Sequence, residues 1–256
     1  MPAGSVAGTR GRQLRLALSA VATLVALALL SPAAATAAAT AAKAPAVTPL
    51  SNLHTLSRWA YPNSEALVHA QPSRHSAVVG RLHYLTEDGQ ADLYIALASA
   101  RLPSGQTWIQ IEVPARPNGQ TGWVPRGALE AFHTVDGYLL VDRSTLVATL
   151  FRDGSAIFSA PIGVGKASTI TPPGQFYVVE KLITLNDPEY GPYALGTSAY
   201  APTLSEWPGG GEVGVHGTDE PQLIPGRPSH GCVRMRNADI TQLWSLITVG
   251  TPIEIT

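Results

Sequence analysis

The sequence predicts a mainly β chain built from two strand-rich folded parts, the second carrying one helix near its C-terminus. Three observations carry this prediction. The 24 Gly and 21 Pro among 256 residues interrupt the chain at short intervals. Short runs rich in Val, Ile, Thr and aromatics recur between those interruptions. Hydrophobic residues reach 45% while charged residues stay at 14%, which supplies one large or two small cores and excludes collagen-like and coiled-coil chains. Lys+Arg 17 against Asp+Glu 18 gives a net charge of −1. With no basic block beyond Arg15, the phosphate-neutralising footprint of a nucleic-acid binder is missing.

Taken in order, residues 1–35 read as a secretory signal. Arg10, Arg12 and Arg15 precede an apolar run from Leu16 to Leu30, and Ser31-Pro32 followed by Ala33-Ala34-Ala35 supplies a small-residue cleavage site. The run is shorter than the about 20 residues of a membrane-spanning helix, so no stable membrane insertion is expected after cleavage. The cell envelope, as periplasm or wall, is the expected location. Residues 36–57 are Ala-, Thr- and Pro-rich and read as a disordered linker.

Residues 58–130 contain β-like runs at Ala66–His69, Val78–Leu82, Ala91–Ala98, Thr107–Val113 and Gly122–Pro125, separated by Pro, Gly and Asn. Five short strands in so short a stretch predict a small barrel. Ala70-Gln71-Pro72-Ser73, Ser76–Gly80, Thr107–Ile111 and Gly119–Val124 resemble a bacterial SH3-like domain, although the Tyr84–Ala100 stretch is longer than that pattern. The resemblance implies either a wall-docking module or one that positions its neighbour.

Residues 131–256 form the second part. Phe132–Asp142, Thr145–Phe151 and Ala156–Gly163 read as strands, with Asp153-Gly154 a hairpin turn. Thr171-Pro172-Pro173-Gly174 marks a turn and Gln175–Leu182 another strand. Asn186–Gly211, with Pro188, Pro192, Pro202, Pro208 and the aromatics Tyr190, Tyr193, Tyr200 and Trp207, reads as a long loop serving as a lid or substrate flap. Asn237 is the expected N-cap of a helix whose Ile240, Leu243, Trp244 and Ile247 share one face, with Gly250 ending it and Pro252–Thr256 closing as a strand.

The chemistry centres on Cys232, the one cysteine of the chain. In an exported protein an unpaired cysteine is an intermolecular disulfide partner or a reactive thiol. It lies in Ser229-His230-Gly231-Cys232-Val233-Arg234-Met235, separated from Gly214-Val215-His216-Gly217-Thr218 by the turn-rich residues 219–228. A thiol nucleophile needs a base and donors for the oxyanion it creates. His216 is the candidate base, the Gly217 carbonyl is placed to set its tautomer, and the amides of Gly231 and Cys232 are candidate oxyanion donors. Arg234 is either a carboxylate clamp or an ion-pair partner of Asp219, Glu220 or Asp239. As a zinc site, His216, His230 and Cys232 lack a fourth ligand and the usual spacing. His54, His69, His75, His83 and His133 form no ligand-like cluster, and no metal is expected.

The His216-Gly217-Thr218 and Ser229–Met235 pair, together with Thr171-Pro172-Pro173-Gly174, the preceding hairpins and the closing strand, resembles the L,D-transpeptidase catalytic domain over about 132–256. The resemblance implies Cys232 as nucleophile, His216 as general base and Gly217 as its orienting carbonyl. It places His230 and Gly231 at the oxyanion hole, with Ser229 and Arg234 among the substrate-binding residues. It also implies a reaction on peptidoglycan stem peptides, without cofactor. The terminal D-alanine of a tetrapeptide leaves, and the acyl group passes from Cys232 to an amine of a second stem as a 3-3 cross-link. Carbapenem-type β-lactams are expected to acylate Cys232. L,D-carboxypeptidase or D-amino-acid exchange through the same thioester, and a non-catalytic wall-binding protein, are the alternatives.

Overall fold

The computed structural model describes residues 45–204 and 208–256. The signal segment of residues 1–35, and Trp207 of the expected flap, lie outside them. The described residues fall in one compact unit, in which they form two sheets and one α-helix.

The first sheet holds β1 (Val47–Pro49), β2 (Ser57–Ala60), β3 (Leu67–His69), β4 (Val78–Arg81), β5 (Tyr94–Arg101), β6 (Thr107–Glu112), β7 (Thr121–Pro125) and β8 (His133–Val135). Its order is β4-β3-β7-β6-β5-β2-β8, with β1 pairing β5, and every pair is antiparallel. The five expected strands are all present. The expected linker, where described, is instead structured. Val47, Thr48 and Pro49 pair with Ala100, Ser99 and Ala98, Leu50 donates to the Leu97 carbonyl, and the Ser51 hydroxyl donates to Ala96 at 2.6 Å. The long strand β5 offers backbone groups that need partners, and pairing with them overrides an unpromising composition.

The second sheet holds β9 (Gly137–Asp142), β10 (Val147–Arg152), β11 (Ser155–Pro161), β12 (Gly163–Gly165), β13 (Gly174–Ile183), β14 (Tyr193–Thr197), β15 (Val215–His216), β16 (Gly226–Ser229), β17 (Val233–Arg234) and β18 (Pro252–Ile255). Its order is β11-β10-β9-β18-β13-β14-β15-β17-β12-β16. Asp153 and Gly154 both take positive φ, 51° and 74°, the two-residue turn that Asp-Gly favours in a hairpin. In β9 burial alternates strictly, with Gly137, Leu139 and Val141 inward.

Strand β13 is buried on both faces, as its apolar run requires. Phe176 and Val178 join the main core with Leu139, Leu195, Ile240 and Ile253. Tyr177 and Val179 face the other way and pack with Trp59, Leu93 and Ile95 of the first sheet region. The Tyr177 hydroxyl donates to the Leu93 carbonyl at 3.1 Å.

Two expectations are corrected here. The stretch read as one long loop contains β14, an interior strand of the sheet, because its backbone is paired on one side with β13 and on the other with β15. In the helix α1 (Asn237–Leu246) the N-cap position falls on Arg236, with no side-chain capping bond, and Asn237 is the first helical residue, its side chain engaged elsewhere. At its far end, Lys181 donates to the Trp244 and Ile247 carbonyls at 2.7 and 2.9 Å, satisfying groups the helix leaves unpaired.

Candidate active site

The site is assembled by a short parallel ladder. β15 pairs with β17, Val215 opposite Val233 and His216 opposite Arg234, and the Gly214 carbonyl accepts from Val233 N–H at 2.9 Å. Because side chains alternate along a strand, His216, Arg234 and the adjoining Cys232 come out on one side. They line one cavity with Glu189, Tyr190, Ala201, Leu204, Glu212, Val213, Ser229, His230 and Gly231. A second cavity of about 250 Å³ also meets His216 and Cys232 and is walled by Asp88, Glu180, Asp187 and Glu212.

His216 Nδ1 lies 2.7 Å from the Gly217 carbonyl oxygen. A carbonyl only accepts, so Nδ1 carries the proton and Nε2 is the basic nitrogen. Burial, aided by the Arg234 charge and opposed by the Gly217 hydrogen bond, lowers the imidazole to about 4. Burial pushes the Cys232 thiol up, against the Gly214 N–H and Arg234. The resting pair is therefore a neutral imidazole and a thiol. The Gly214 N–H sits 3.4 Å from Cys232 Sγ, and the Tyr190 ring lies 4.6 Å from the His216 ring.

Gly217 is clamped by Asn237. The Asn237 Oδ1 accepts from the Thr218 N–H at 2.9 Å, and a Cβ at Gly217 would overlap that same oxygen. A helix residue thus fixes the turn whose carbonyl orients the base. Sequence reasoning assigned Asn237 to capping and missed this role, since both uses call on the same short polar side chain.

Ser229 and Gly231 line the cavity and are also tied to the loop that bears Cys232. The Gly231 N–H donates to Ser229 Oγ at 3.1 Å, and Ser229 Oγ donates to the Cys232 carbonyl at 2.6 Å. Gly231 adopts φ of 140°, a conformation that suits glycine. Its carbonyl accepts from Thr171 Oγ1 at 2.7 Å, and Thr171 Oγ1 accepts from the Gly165 N–H at 2.9 Å. Ser229, Gly231 and Thr171 together shape the loop that presents Cys232. His230 is exposed and lines the cavity.

Arg234 is an ion-pair residue. Its Nη1 lies 3.1 Å from Glu220 Oε2 and its Nη2 3.1 Å from Glu189 Oε1. Of the three carboxylates considered from sequence, only Glu220 is used; Glu189, in the turn Pro188–Tyr190, is the partner that sequence did not suggest.

In the second cavity, burial and the neighbouring Glu180 charge push Glu212 up to about 8. Burial pushes Glu180 up to about 7 although it accepts from the Thr86 hydroxyl at 2.7 Å. Among the described residues no group of three or more His, Cys, Asp or Glu is arranged to hold a metal ion.

A profile described as the L,D-transpeptidase catalytic domain matches residues 136–255. The chain is 31% identical over 123 residues to a Bacillus subtilis (strain 168) protein carrying the name L,D-transpeptidase YkuD, spanning 48% of this chain and 68% of that one. It is 34% identical over 107 residues to the Bacillus licheniformis protein of that name, spanning 42% and 58%. Among solved structures, a mutant of an Enterococcus faecium L,D-transpeptidase is similar at 26% identity and a TM-score of 0.36, with 46% of this chain and 49% of that chain covered. The chain therefore spans about half the length of that solved structure and somewhat more of its Bacillus relatives. With the catalytic-domain profile matched from 136 to 255 and this identity across two thirds of the Bacillus subtilis protein, the chain belongs to the L,D-transpeptidase family.

Proposed function

We propose that this chain is an exported L,D-transpeptidase acting on peptidoglycan stem peptides through a thioester on Cys232. His216 Nε2 takes the thiol proton as Cys232 Sγ attacks the carbonyl carbon of the residue preceding the terminal D-alanine. His230, Gly231 and Cys232, which line the cavity together, are read as the oxyanion side of the site. Collapse breaks the C–N bond, the proton passes from His216 to the departing D-alanine amine, and a thioester remains. An amine of a second stem then attacks that thioester, gives a proton to His216 and expels the thiol, leaving a 3-3 cross-link.

The observation that carries this reading is the His216 Nδ1 contact to the Gly217 carbonyl at 2.7 Å, which leaves Nε2 as the basic nitrogen of a ring lining the same cavity as Cys232. The second cavity reaches the same Cys232 and supports transfer to an amine, because it offers space beside the thioester. Its carboxyls Glu180 and Glu212, pushed up by burial to about 7 and about 8, suit hydrogen bonding to an uncharged amine, the form that attacks. Residues 1–35 support export to the cell envelope, and the first sheet region is read as an SH3-like module.

Mass spectrometry of products from a disaccharide-tetrapeptide, with Cys232→Ala as control, tests the reading. Cross-linked dimers lacking one D-alanine, absent in the control, are expected. Tripeptide alone would reassign the chain to L,D-carboxypeptidase, and incorporation of added D-amino acid to exchange. Unchanged tetrapeptide that the Cys232→Ala variant still binds would mean a wall-binding protein. Peptide mapping after carbapenem treatment is expected to find the adduct on Cys232, and an adduct elsewhere would overturn the nucleophile.

A further inference from the structure

Part of the lining of the first cavity comes from the excursion between β14 and β15, described at residues 198–204 and 208–214. Its two limbs pair with each other. Val213 N–H donates to the Ala199 carbonyl at 2.8 Å, Ala201 N–H donates to the Gly211 carbonyl at 2.8 Å, and Tyr200 bridges Glu212. Ala201 and Leu204 line the cavity from the first limb, Glu212 and Val213 from the second. The second limb ends at Gly214, whose N–H meets the sulfur of Cys232.

That excursion is held from outside the catalytic sheet, by the connection between β6 and β7. Asn118 Nδ2 donates to the Tyr200 carbonyl at 2.7 Å, and Asn118 Oδ1 accepts from the Tyr200 N–H at 2.9 Å. Arg116 Nε and Nη2 donate to the Ala201 carbonyl at 3.2 and 3.1 Å, and Nη2 also reaches the Leu204 carbonyl at 3.0 Å. The guanidinium lies 5.0 Å from the centre of the Tyr200 ring. All five hydrogen bonds go to main-chain atoms of the excursion, so they fix its path whatever side chains it carries. One asparagine satisfying both the donor and acceptor of a single residue, beside one guanidinium bridging two carbonyls, is a directional arrangement.

We propose that Arg116 and Asn118 are positioning residues for the acyl-donor site: they hold Tyr200–Leu204, and through the paired limb Glu212–Gly214 they set the wall facing Cys232. The region bearing them is then part of the transfer site and not only a tether to the wall. The substrate in this inference rests on the transpeptidase reading above, whereas the positioning itself does not.

The test uses the full mature chain with Asn118→Ala, Arg116→Ala and the conservative Asn118→Asp and Arg116→Lys. Three quantities are read: KM and kcat for the tetrapeptide donor, hydrogen exchange of the 199–204 segment, and the rate at which iodoacetamide alkylates Cys232. For the alanine variants KM is expected to rise roughly five- to twentyfold with kcat within about threefold. Exchange of the Tyr200 amide should accelerate at least about tenfold, and Cys232 alkylation several-fold, because the loosened wall exposes the sulfur. Asn118→Asp keeps the acceptor for the Tyr200 N–H and Arg116→Lys keeps a cation, so both should fall between wild type and alanine. A KM unchanged in both alanine variants overturns the proposal, as does an unchanged Tyr200 exchange rate. Should an alanine variant fail to fold, the conservative pair decides by the same criteria. Should wild type transfer nothing from tetrapeptide, the transpeptidase reading fails by itself, and exchange and alkylation still decide the positioning role.

Discussion

The Ser198 hydroxyl donates to Glu112 Oε1 at 2.8 Å across 86 residues of sequence, and both side chains are buried. Burial dominates this carboxyl and pushes it up to about 8, with the Ser198 hydrogen bond opposing. The native state therefore retains a proton on Glu112 that the unfolded chain, with an ordinary carboxyl near 4.5, releases. Stability contributed by that proton is fully present below pH 4.5 and is lost as pH rises towards 8, at up to about 1.4 kcal/mol per pH unit.

Glu112→Gln should remove this dependence. Gln still accepts from Ser198, so thermal melts at pH 4 should match wild type closely, while at pH 8 the variant should melt higher. Equal melting differences at both pH values would show that Glu112 carries no native-state proton.

The rate of acyl transfer should keep its acidic limb unusually low. His216 is lowered to about 4 by burial, so the neutral imidazole that the proposed mechanism needs as base persists well below the ordinary histidine value of about 6.5. A kcat/KM profile falling near pH 4 is the expected result, reported as a property of the His216–Cys232 pair together. An acidic limb near pH 6.5 would contradict it.

Asn237→Ala should lower kcat about tenfold with KM little changed. It removes the acceptor of the Thr218 N–H and frees the Gly217 carbonyl that orients His216, at a stability cost of about 1–2 kcal/mol. Helix content by circular dichroism should hold, because the Asn237 side chain bonds Thr218 and not the helix's own first turn. Loss of helix with kcat intact would return Asn237 to a capping role.

Arg234→Ala should lower the melting temperature, costing about 1–3 kcal/mol. The guanidinium is nearly buried while Glu189 and Glu220 are each about half exposed, at 52% and 49%, so the stranded carboxylates rehydrate and the loss stays moderate. Arg234→Lys should recover less than half, since one ammonium does not span both carboxylates. A variant as stable as wild type but with a raised donor KM would favour the clamp.

What was legible in the sequence had local causes. The Asp153-Gly154 turn, the alternation of β9 and the helix stripe of Ile240 and Leu243 are each dictated by neighbours a few residues away. The His216–Gly217 contact was legible for the same reason, being one residue long. What escaped depends on distant pairing. β14 is held by strands on both sides, β1 by the free groups of β5, and the Ser229–Gly231 bond follows from how the loop folds over Thr171. Glu189, in the turn before β14, meets Arg234 of β17 only because β15 pairs with both strands.

The base of this site belongs to a sheet ladder, with His216 opposite Ala194 on one side and Arg234 on the other. A residue held that way cannot drift when neighbouring loops change length. Variation between β14 and β15 or around Pro188–Tyr190 can therefore reshape the cavity while the pairing that holds His216 stays in place. Substrate range and chemistry can diversify at different speeds in this fold.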